Sequence, residues 1–521
     1  MLVWLFTALS SFALGQGEQP AGNSSQPGSA GASKQEVDQL RREVAAQRQT
    51  IEELKAMVER LAEANPQAAA GPAASGPHLI NATLTQPAIE GEAVDAEQAA
   101  KSSDKKPADK KSETAVVAGW NGEHFFIKST DGKFQIQPYG YFQNDYRAYS
   151  GDGAPSNTFL IRRARFGFQG NFGTHYDYAV LIDAAASNGI SLRDLYVNVK
   201  PVPAFQVQIG QFKEPFAQEE MTGAPNLDFV ERSLASLLYP AAATAFRSPG
   251  FALHGDVSGG LFQWWAGAFN GKGILTNNTT NEPELIGRVR FSPWKKKKDS
   301  VVQGLVFGAS IGHGRSRGLS NETSFSGVIP EGAYNFFPSF RINGPVERYE
   351  GDLSWVHNRW AVRFEYDQLD QFRRAVGSEQ SDGLGFVTLP GIVAKAGVGQ
   401  ITYLLTGETR PENGTPKVKH PFLGPEAGGG ARGWGAWELA FRYDKIHAKE
   451  PGISLPNGIT PGFVPTFDDH TDQFTFGLNW YLNYWIKYQV NVSVDRLKEP
   501  SVGGQEPQNF TVLLNRLQFR F

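Results

Sequence analysis

The stretch Gln473–Asp495, with the sequence QFTFGLNWYLNYWIKYQVNVSVD, consists of two alternating segments joined by a short turn. The residues between the apolar positions are mostly polar. The apolar positions are Phe474, Phe476, Leu478, Trp480 and Leu482, then Ile486, Tyr488, Val490, Val492 and Val494. Because successive side chains of a β-strand point to opposite faces, this period of two predicts an antiparallel hairpin with one apolar and one polar face.

The same unit, roughly ten alternating residues followed by turn residues, repeats from Phe134 to Phe521. It predicts sixteen strands, at 134–149, 159–171, 175–185, 190–200, 204–212, 250–258, 261–270, 284–293, 301–312, 345–356, 359–369, 389–406, 433–447, 470–482, 484–496 and 508–521. An even number is typical of single-chain bacterial barrels, and sixteen strands leave an aqueous lumen. The predicted fold class is all-β, a 16-stranded antiparallel transmembrane β-barrel in the outer membrane.

Three features favour this barrel over a soluble β-sandwich. Charged residues occupy the second face of nearly every strand, where a sandwich core would be apolar. Aromatic side chains cluster where strands meet turns, as an interfacial girdle requires: Trp480, Tyr481, Tyr484 and Trp485. The chain also ends on a strand whose Leu517, Phe519 and Phe521 share one face and whose Arg516, Gln518 and Arg520 share the other. A secreted β-rich binding module is the alternative.

The composition excludes several other classes of protein. The chain has no cysteine, which rules out disulfides and thiolate metal sites, and its nine histidines show no metal-ligand spacing. A net charge of −3, without basic clusters that contain interleaved aromatic residues, gives no reason to expect a nucleic-acid partner. We expect neither an enzyme nor a bound cofactor or metal.

The N-terminal quarter of the chain reads as three segments. Residues 1–15 resemble a secretory signal peptide, although no Lys or Arg precedes the apolar run. Residues 33–63 open with a capping box and continue as four heptads, which predicts a short periplasmic coiled coil of open stoichiometry. Residues 64–118 are rich in Ala, Pro, Gly and Ser and predict a disordered tether. One alternative function follows, in which the coiled coil contacts the cell wall and the barrel is its anchor.

Strand alternation also predicts which charged residues line the lumen. Since Phe166 and Phe168 are placed against lipid, Arg163 and Arg165 face inward, and the same reasoning places Arg288 and Arg290 there. Such pairs could pass an anion between guanidinium groups, or each arginine could simply pair with a carboxylate. Arg162 is expected to face outward, near lipopolysaccharide phosphates. Over all strands, twelve basic and twelve acidic residues are expected to face the lumen, so the total charge predicts no selectivity.

Two long connections are expected to matter for transport. The extracellular loop 212–249 is too long for a simple connection and is predicted to narrow the pore. It is net acidic, and its basic residues are Lys213, Arg232 and Arg247. The segment 408–432 is periplasmic by parity yet long, so either a strand is miscounted or the segment folds into the pore.

Several stretches together resemble the phosphate-selective porins O and P. They are FLIRRARFGFQG (159–170), IGQFKEPFAQEE (209–220), ERS (231–233), LLTGETRP (404–411), GAWELAFRYD (435–444) and FGLNWYL (476–482). The resemblance implies a homotrimer of sixteen-stranded barrels with inward loops, one of them periplasmic, and arginines leading to a constriction. It places Arg163 and Arg165 on the wall, Asp194 opposite them, and Arg232 in the constricting loop.

The expected function is passive diffusion of small anions through an arginine-lined lumen, with phosphate and polyphosphate among the candidate solutes. In well-known family members, lysines of the inward loop help to bind phosphate, whereas this chain has Glu219-Glu220-Met221-Thr222 there. The expected partners are outer-membrane lipid, lipopolysaccharide and small anionic solutes. The candidate pore-lining and constriction residues are Arg163, Arg165, Asp194, Lys213, Arg232, Arg247, Arg288 and Arg290.

Overall fold

The computed structural model describes most of the chain from Val116 onward. The described residues are 116–121, 123–151, 153–186, 189–242, 246–316, 324–341, 344–376, 387–423, 433–449, 468–498 and 508–521. The predicted signal peptide and coiled coil, and the tether up to residue 115, lie outside them. Residues 116–118, the last three of the predicted tether, belong to a strand.

Twenty strands account for most of the described chain. Their bounds are β1 Val116–Trp120, β2 Phe125–Ser129, β3 Phe134–Ser150, β4 Thr158–Phe172, β5 Tyr176–Asp183, β6 Ser191–Val202, β7 Phe205–Lys213, β8 Arg247–Val257, β9 Phe262–Phe269, β10 Glu284–Phe291, β11 Leu305–Ser316, β12 Ser324–Val328, β13 Asn335–Arg341, β14 Gly344–His357, β15 Trp360–Val376, β16 Val387–Leu404, β17 Ala436–Lys449, β18 Asp468–Tyr481, β19 Ile486–Lys498 and β20 Gln508–Arg520. No described helix combines the length and the apolar composition needed to cross a membrane.

Sixteen of these strands close into one antiparallel barrel, which confirms the predicted fold class. Each strand of β3–β11 and of β14–β20 pairs with its neighbour along the chain, β11 pairs with β14, and β20 pairs with β3 to close the ring. The closing pair runs from Thr511 opposite Ser150 to Arg520 opposite Tyr141. Closure satisfies the backbone groups that an open sheet edge would expose to lipid.

The barrel is apolar outside and polar inside, which excludes the soluble sandwich. In the hairpin of β18 and β19, Phe476 is 56% exposed, whereas its polar neighbours Thr475 and Gln473 are at most 1% exposed. The terminal strand follows the same rule, since Leu517 is 45% exposed and Arg516 is fully buried. An apolar outer surface of this kind suits contact with hydrocarbon. The closed barrel also satisfies the backbone hydrogen bonds that no water can supply there.

Aromatic side chains gather at the rim of the barrel that carries Phe521, here called the C-terminal rim. Trp437 and Trp480 stack there with ring centroids 5.1 Å apart, and the Trp480 indole N–H donates to the Trp434 carbonyl at 2.7 Å. Indole rings with one apolar and one hydrogen-bonding side suit the membrane–water interface.

Four strands were not predicted from the sequence. The hairpin of β1 and β2 continues the wall at the C-terminal rim, where β2 pairs with β3 beyond the end of β20 (Ile127 opposite Ile136). The hairpin of β12 and β13 forms a separate small sheet within the long connection between β11 and β14. Both hairpins are short and lack the ten-residue alternation on which the strand predictions relied.

Candidate functional site in the lumen

The connection between β7 and β8, residues 214–246, folds into the barrel and is called the inward loop. Strands from several parts of the wall hold its backbone. Asn491 accepts a hydrogen bond from the Val230 amide at 2.6 Å, Ser310 donates to the Phe216 carbonyl at 2.7 Å, and Lys487 donates to the Leu227 carbonyl at 3.0 Å. Since β11 and β19 lie on different sides of the ring, the inward loop spans the lumen, as predicted for the pore-narrowing loop.

The inward loop also brings apolar side chains into the barrel. Phe216, Val230, Leu234 and Leu238 are at most 1% exposed, and they belong to a cluster with inner-face residues of β16, β17 and β20 such as Ile392, Ile446 and Val512. Burying a large apolar side chain contributes about 1.5–3 kcal/mol, so this loop is packed like a core rather than suspended in solvent. Part of the lumen is therefore closed to solutes.

A second inward segment, residues 405–423, enters from the C-terminal rim. Arg410 is 1% exposed at its side chain and forms ion pairs with Asp228 of the inward loop and with Glu438 of β17. Arg363 of β15 also pairs with Asp228. Of the two predicted alternatives for 408–432, the described part, residues 408–423, supports the segment that folds into the pore, and the barrel has the sixteen strands that were predicted. Residues 424–432 lie outside the described residues.

Glu231 joins the inward loop to the arginines of the wall. It forms ion pairs with Arg147, Arg162 at 2.7 Å, Arg163 at 3.7 Å and Arg516 at 3.0 Å. Burial acts to raise the pKa of the Glu231 carboxyl, but these arginines, Arg162 first, outweigh it and hold that pKa well below its usual range. Glu231 therefore stays ionised and joins the inward loop to arginines of β3, β4 and β20; these ion pairs are here called the Glu231 clamp.

Arg162 corrects the predicted orientation. A β-bulge lies between the pairs Gln143–Arg163 and Asn144–Ile161, so Arg162 has no partner on β3 and turns inward to Glu231. The alternation rule had placed it toward lipopolysaccharide. Two consecutive charged residues in a membrane strand are a signal for such a bulge, because strict alternation would leave one of them in lipid.

Arg163 and Arg165 both lie on the inner face of β4. Arg163 donates to Gln143 at 2.8 Å, while Arg165 donates to Asp183 at 2.8 Å and to the Tyr141 hydroxyl at 2.6 Å. Each is at most 7% exposed. The two arginines therefore link β4 to its neighbours β3 and β5 and also place positive charge on the inner face of the wall.

Asp194 and Arg247 form a two-pronged ion pair, with contacts of 2.9 and 3.0 Å. Arg247 is the first residue of β8 and faces Lys213, the last residue of β7, so both belong to strands rather than to the loop between them. The sequence had assigned these two basic residues to the loop. The family resemblance places Asp194 opposite Arg163 and Arg165, and its ion-pair partner among the described residues is Arg247.

Arg232 and Lys213 bind backbone, not carboxylates. Arg232 donates to the carbonyls of Glu219 and Thr222 and packs on Phe246, while Lys213 donates to the carbonyls of Glu220 and Thr222 at 2.5 and 2.7 Å. These carbonyls belong to or follow the one-turn helix Gln218–Met221. The two cations therefore fix the acidic stretch in place through its main chain.

The acidic character of the inward loop is largely hidden. Glu214 and Glu220 are fully buried; burial first, and then a neighbouring carboxylate, raise the pKa of each well above its usual range. Glu219 accepts hydrogen bonds from the backbone and hydroxyl of Ser233. The formal negative charge of the loop is thus a poor guide to the charge that a solute meets.

Arg288 and Arg290 lie on β10, away from the β4 pair. Arg288 is 3% exposed and donates to Ser310 at 2.7 Å, Glu350 at 2.8 Å and Asp352 at 2.6 Å. Arg290 contacts Gln263 and Glu412 of the second inward segment. Arg288 is therefore enclosed by carboxylates, as the ion-pair interpretation expected.

Charge is unevenly distributed around the ring. Glu350 and Asp352 of β14 face Asp367 and Glu365 of β15 in register, which forms an acidic wall. The arginines of β3, β4, β6, β8 and β20 form a basic wall. A cavity lies between the inward loop and β15 and β16, and both polar residues (Thr222, Gln400 and Asn413 among them) and apolar ones such as Phe229 line it. The balanced total predicted from the sequence conceals this separation.

Comparison with known proteins found a matching family model and several similar solved structures. The model of the family "phosphate-selective porin O and P" matches residues 136–521. Among solved structures, the chain is similar to OmpT of Vibrio cholerae (11% identity, TM-score 0.46, 75% of this chain and 98% of that chain). It is also similar to the outer membrane channel DcaP of Acinetobacter baumannii (11%, 0.45, 76% and 99%) and to OprB of Pseudomonas putida (12%, 0.45, 75% and 95%). A comparison with curated proteins found no match.

A closed sixteen-stranded barrel with an apolar exterior and a charged interior is the architecture of an outer-membrane channel. Because the family model covers most of the chain, this protein belongs to the phosphate-selective porin O and P family. The resemblance inferred from the sequence motifs is confirmed.

Proposed function

We propose that this channel lets small anions diffuse passively along the basic wall formed by β3, β4, β6, β8 and β20. One observation carries the proposal: the arginines of this wall outnumber the carboxylates that neutralise them. Among the described residues, seven arginines (Arg147, Arg162, Arg163, Arg165, Arg193, Arg247 and Arg516) share four carboxylates (Asp145, Asp183, Asp194 and Glu231). The difference, seven minus four, leaves an excess of three positive charges.

Phosphate and polyphosphate are candidate solutes of this wall. Guanidinium groups bind phosphate through two parallel hydrogen bonds, and Arg162 keeps about a third of its side chain exposed (35%). The inward loop supplies Arg232 and the end of β7 supplies Lys213, but their guanidinium and ammonium groups already bind backbone carbonyls. We therefore propose that the channel has a modest preference for anions over cations. Strong binding of phosphate is a separate, more specific hypothesis.

The proposal includes a homotrimer surrounded by outer-membrane lipid and lipopolysaccharide. Membership of the porin family supports the trimer. Chemical cross-linking of the detergent-solubilised protein measures it directly, and a purely monomeric species would contradict it. Arg162 no longer supports lipopolysaccharide contact, because it faces the lumen.

Reversal potentials of single channels in a potassium chloride gradient test the function. We expect modest anion selectivity, and phosphate added to chloride should reduce the current. A cation-selective channel would refute the proposal.

Arg232→Ala should change conductance or selectivity, because Arg232 fixes the inward loop through the carbonyls of Glu219 and Thr222. No change in either quantity would remove Arg232 from the constriction.

A further inference from the structure

Arg193 turns into the lumen because of a second β-bulge. Leu181 of β5 pairs with Asp194, and the next residue, Ile182, pairs with Leu192, so Arg193 has no partner on β5. Its guanidinium lies 3.3 Å from Asp183, a buried residue of the inner wall. As at Arg162, two consecutive charged residues mark the bulge.

The acceptor available to Arg193 is already in use. Asp183 accepts hydrogen bonds from Arg165 at 2.8 Å and from the amides of Ala164 and Ala185, each at 3.2 Å. The buried Nε of Arg193 has no hydrogen-bond partner among the described residues, and 15% of the side chain stays exposed. A guanidinium carries five N–H donors and no acceptor, so the exposed part of the Arg193 side chain can donate to an anion in the lumen.

Aromatic side chains lie on the inner wall near this positive charge. The Tyr141 ring lies 5.6 Å from the guanidinium of Arg165, which shares Asp183 with Arg193. Tyr139 lies in the same cross-strand row as Asp194, the residue next to Arg193, because Tyr139 pairs with Gly167, Gly167 with Leu181 and Leu181 with Asp194. Tyr196 follows Asp194 two residues along β6, on the same face. Tyr196 in turn meets Phe212 edge to face, with ring centroids 5.9 Å apart. The wall here therefore offers flat apolar surface next to unused cationic donors.

We propose that Arg193, Tyr139 and Tyr196 form a binding site for small aromatic carboxylates. Arg193 binds the carboxylate through charge-assisted hydrogen bonds, and the tyrosine rings pack against the aromatic body. A fully hydrated inorganic anion gains nothing from the rings, so the site distinguishes organic from inorganic anions. This inference rests on the proposed anion passage and names a solute class for it.

Block of the chloride current by added benzoate, acetate or phosphate tests this site in the full-length channel. For the wild type we expect half-block by benzoate at a concentration roughly tenfold lower than for acetate, because only benzoate has a ring to bury. Arg193→Gln should raise the half-blocking benzoate concentration about tenfold or more, as loss of a hydrogen bond to a charged group predicts. Tyr196→Ala should weaken block by benzoate and leave block by acetate unchanged.

Lys200→Gln is the matched control, since Lys200 lies on the same strand in a half-exposed ion pair with Asp177. It should leave benzoate block as in the wild type. Arg193→Lys keeps the charge if the glutamine variant does not fold, and should bind benzoate less tightly because the fork of donors is lost. An anion-selective channel that benzoate blocks no better than acetate, or whose block ignores Arg193, overturns this inference alone. Cation selectivity overturns the proposed function itself.

Discussion

Arg516 shows how single residues are held inside this barrel. Its guanidinium is fully buried and binds both oxygens of Asp145, at 2.6 and 2.7 Å, and also Glu231 at 3.0 Å. Buried charges are tolerated only when they are paired and hydrogen-bonded, because removal from water is expensive. Each basic residue of the wall is therefore a structural element as well as part of the lining.

Arg516→Gln should destabilise the protein by about 3–5 kcal/mol, because Asp145 and Glu231 would lose a buried partner. Chemical unfolding in lipid vesicles, followed by tryptophan fluorescence, measures this loss. Arg315→Gln is the control, since Arg315 and its partner Glu282 are 42% and 53% exposed; it should cost at most about 1 kcal/mol. Equal losses in the two variants would mean that the buried pair is no stronger than a surface pair.

At the scale of elements, the inward loop and the second inward segment hold each other in place. Asp228 of the loop forms ion pairs with Arg410 of the segment and with Arg363 of β15. Leu227, the residue before it, is buried. Removal of one partner leaves a buried charge without compensation. The two connections therefore enter the lumen from opposite rims and are joined there by buried ion pairs.

Arg410→Ala should release the second inward segment and increase single-channel conductance. The physical reason is the loss of two buried ion pairs, a cost of about 3–5 kcal/mol that the packing of a short segment cannot offset. Lys419→Ala, on the same segment but with an exposed contact to the Gly407 carbonyl, should leave conductance unchanged. If both variants conduct like the wild type, the segment does not limit the current.

The ionisation state of Glu231 determines how firmly the inward loop is held as the pH falls. Its pKa in the folded protein is depressed, so the clamp is complete above the ordinary pKa of a glutamate, about 4.3, and is lost only as pH falls through the lower folded value. Current noise from loop motion should therefore stay constant from about pH 7 to 5 and rise in stronger acid. Glu231→Gln should show that noise at pH 7, whereas Glu282→Gln, at an exposed pair, should not. Loop noise that rises between pH 7 and 5 in the wild type would contradict the clamp.

At the scale of the whole molecule, the barrel depends on the seam between β3 and β20. Gly140 and Phe521 exchange two backbone hydrogen bonds of 3.1 Å at the end of this seam. A Cβ at Gly140 would lie 2.5 Å from the Arg165 carbonyl oxygen and 2.8 Å from the Phe521 ring. Closure therefore requires glycine at this position for close approach.

Gly140→Val should weaken closure and reduce the fraction of protein that migrates as a heat-resistant band in detergent gels. Steric contact with backbone on one side and the terminal ring on the other leaves the added side chain no room. Gly351→Val is the matched control, because nothing lies within 4 Å of a Cβ there. Full heat resistance in both variants would show that the seam tolerates a side chain.

The sequence by itself determined the sixteen strands, their order and their two faces. Alternation is a local property, and lipid outside with water inside imposes it on every strand, as Phe476 and Thr475 illustrate. Motifs such as FLIRRARFGFQG also sufficed for the family. Bulges were missed because they break alternation by one residue, although paired charges such as Arg162-Arg163 signal them.

Only the tertiary structure decided what the lumen contains. Which carboxylate pairs with which arginine depends on where the inward loop lies, and Glu231 lies far along the chain from Arg516. The same packing hides Glu214 and Glu220 and separates a basic wall from an acidic one. Such contacts join residues from opposite sides of a closed ring, so strand periodicity, which reports only on near neighbours, could not reveal them.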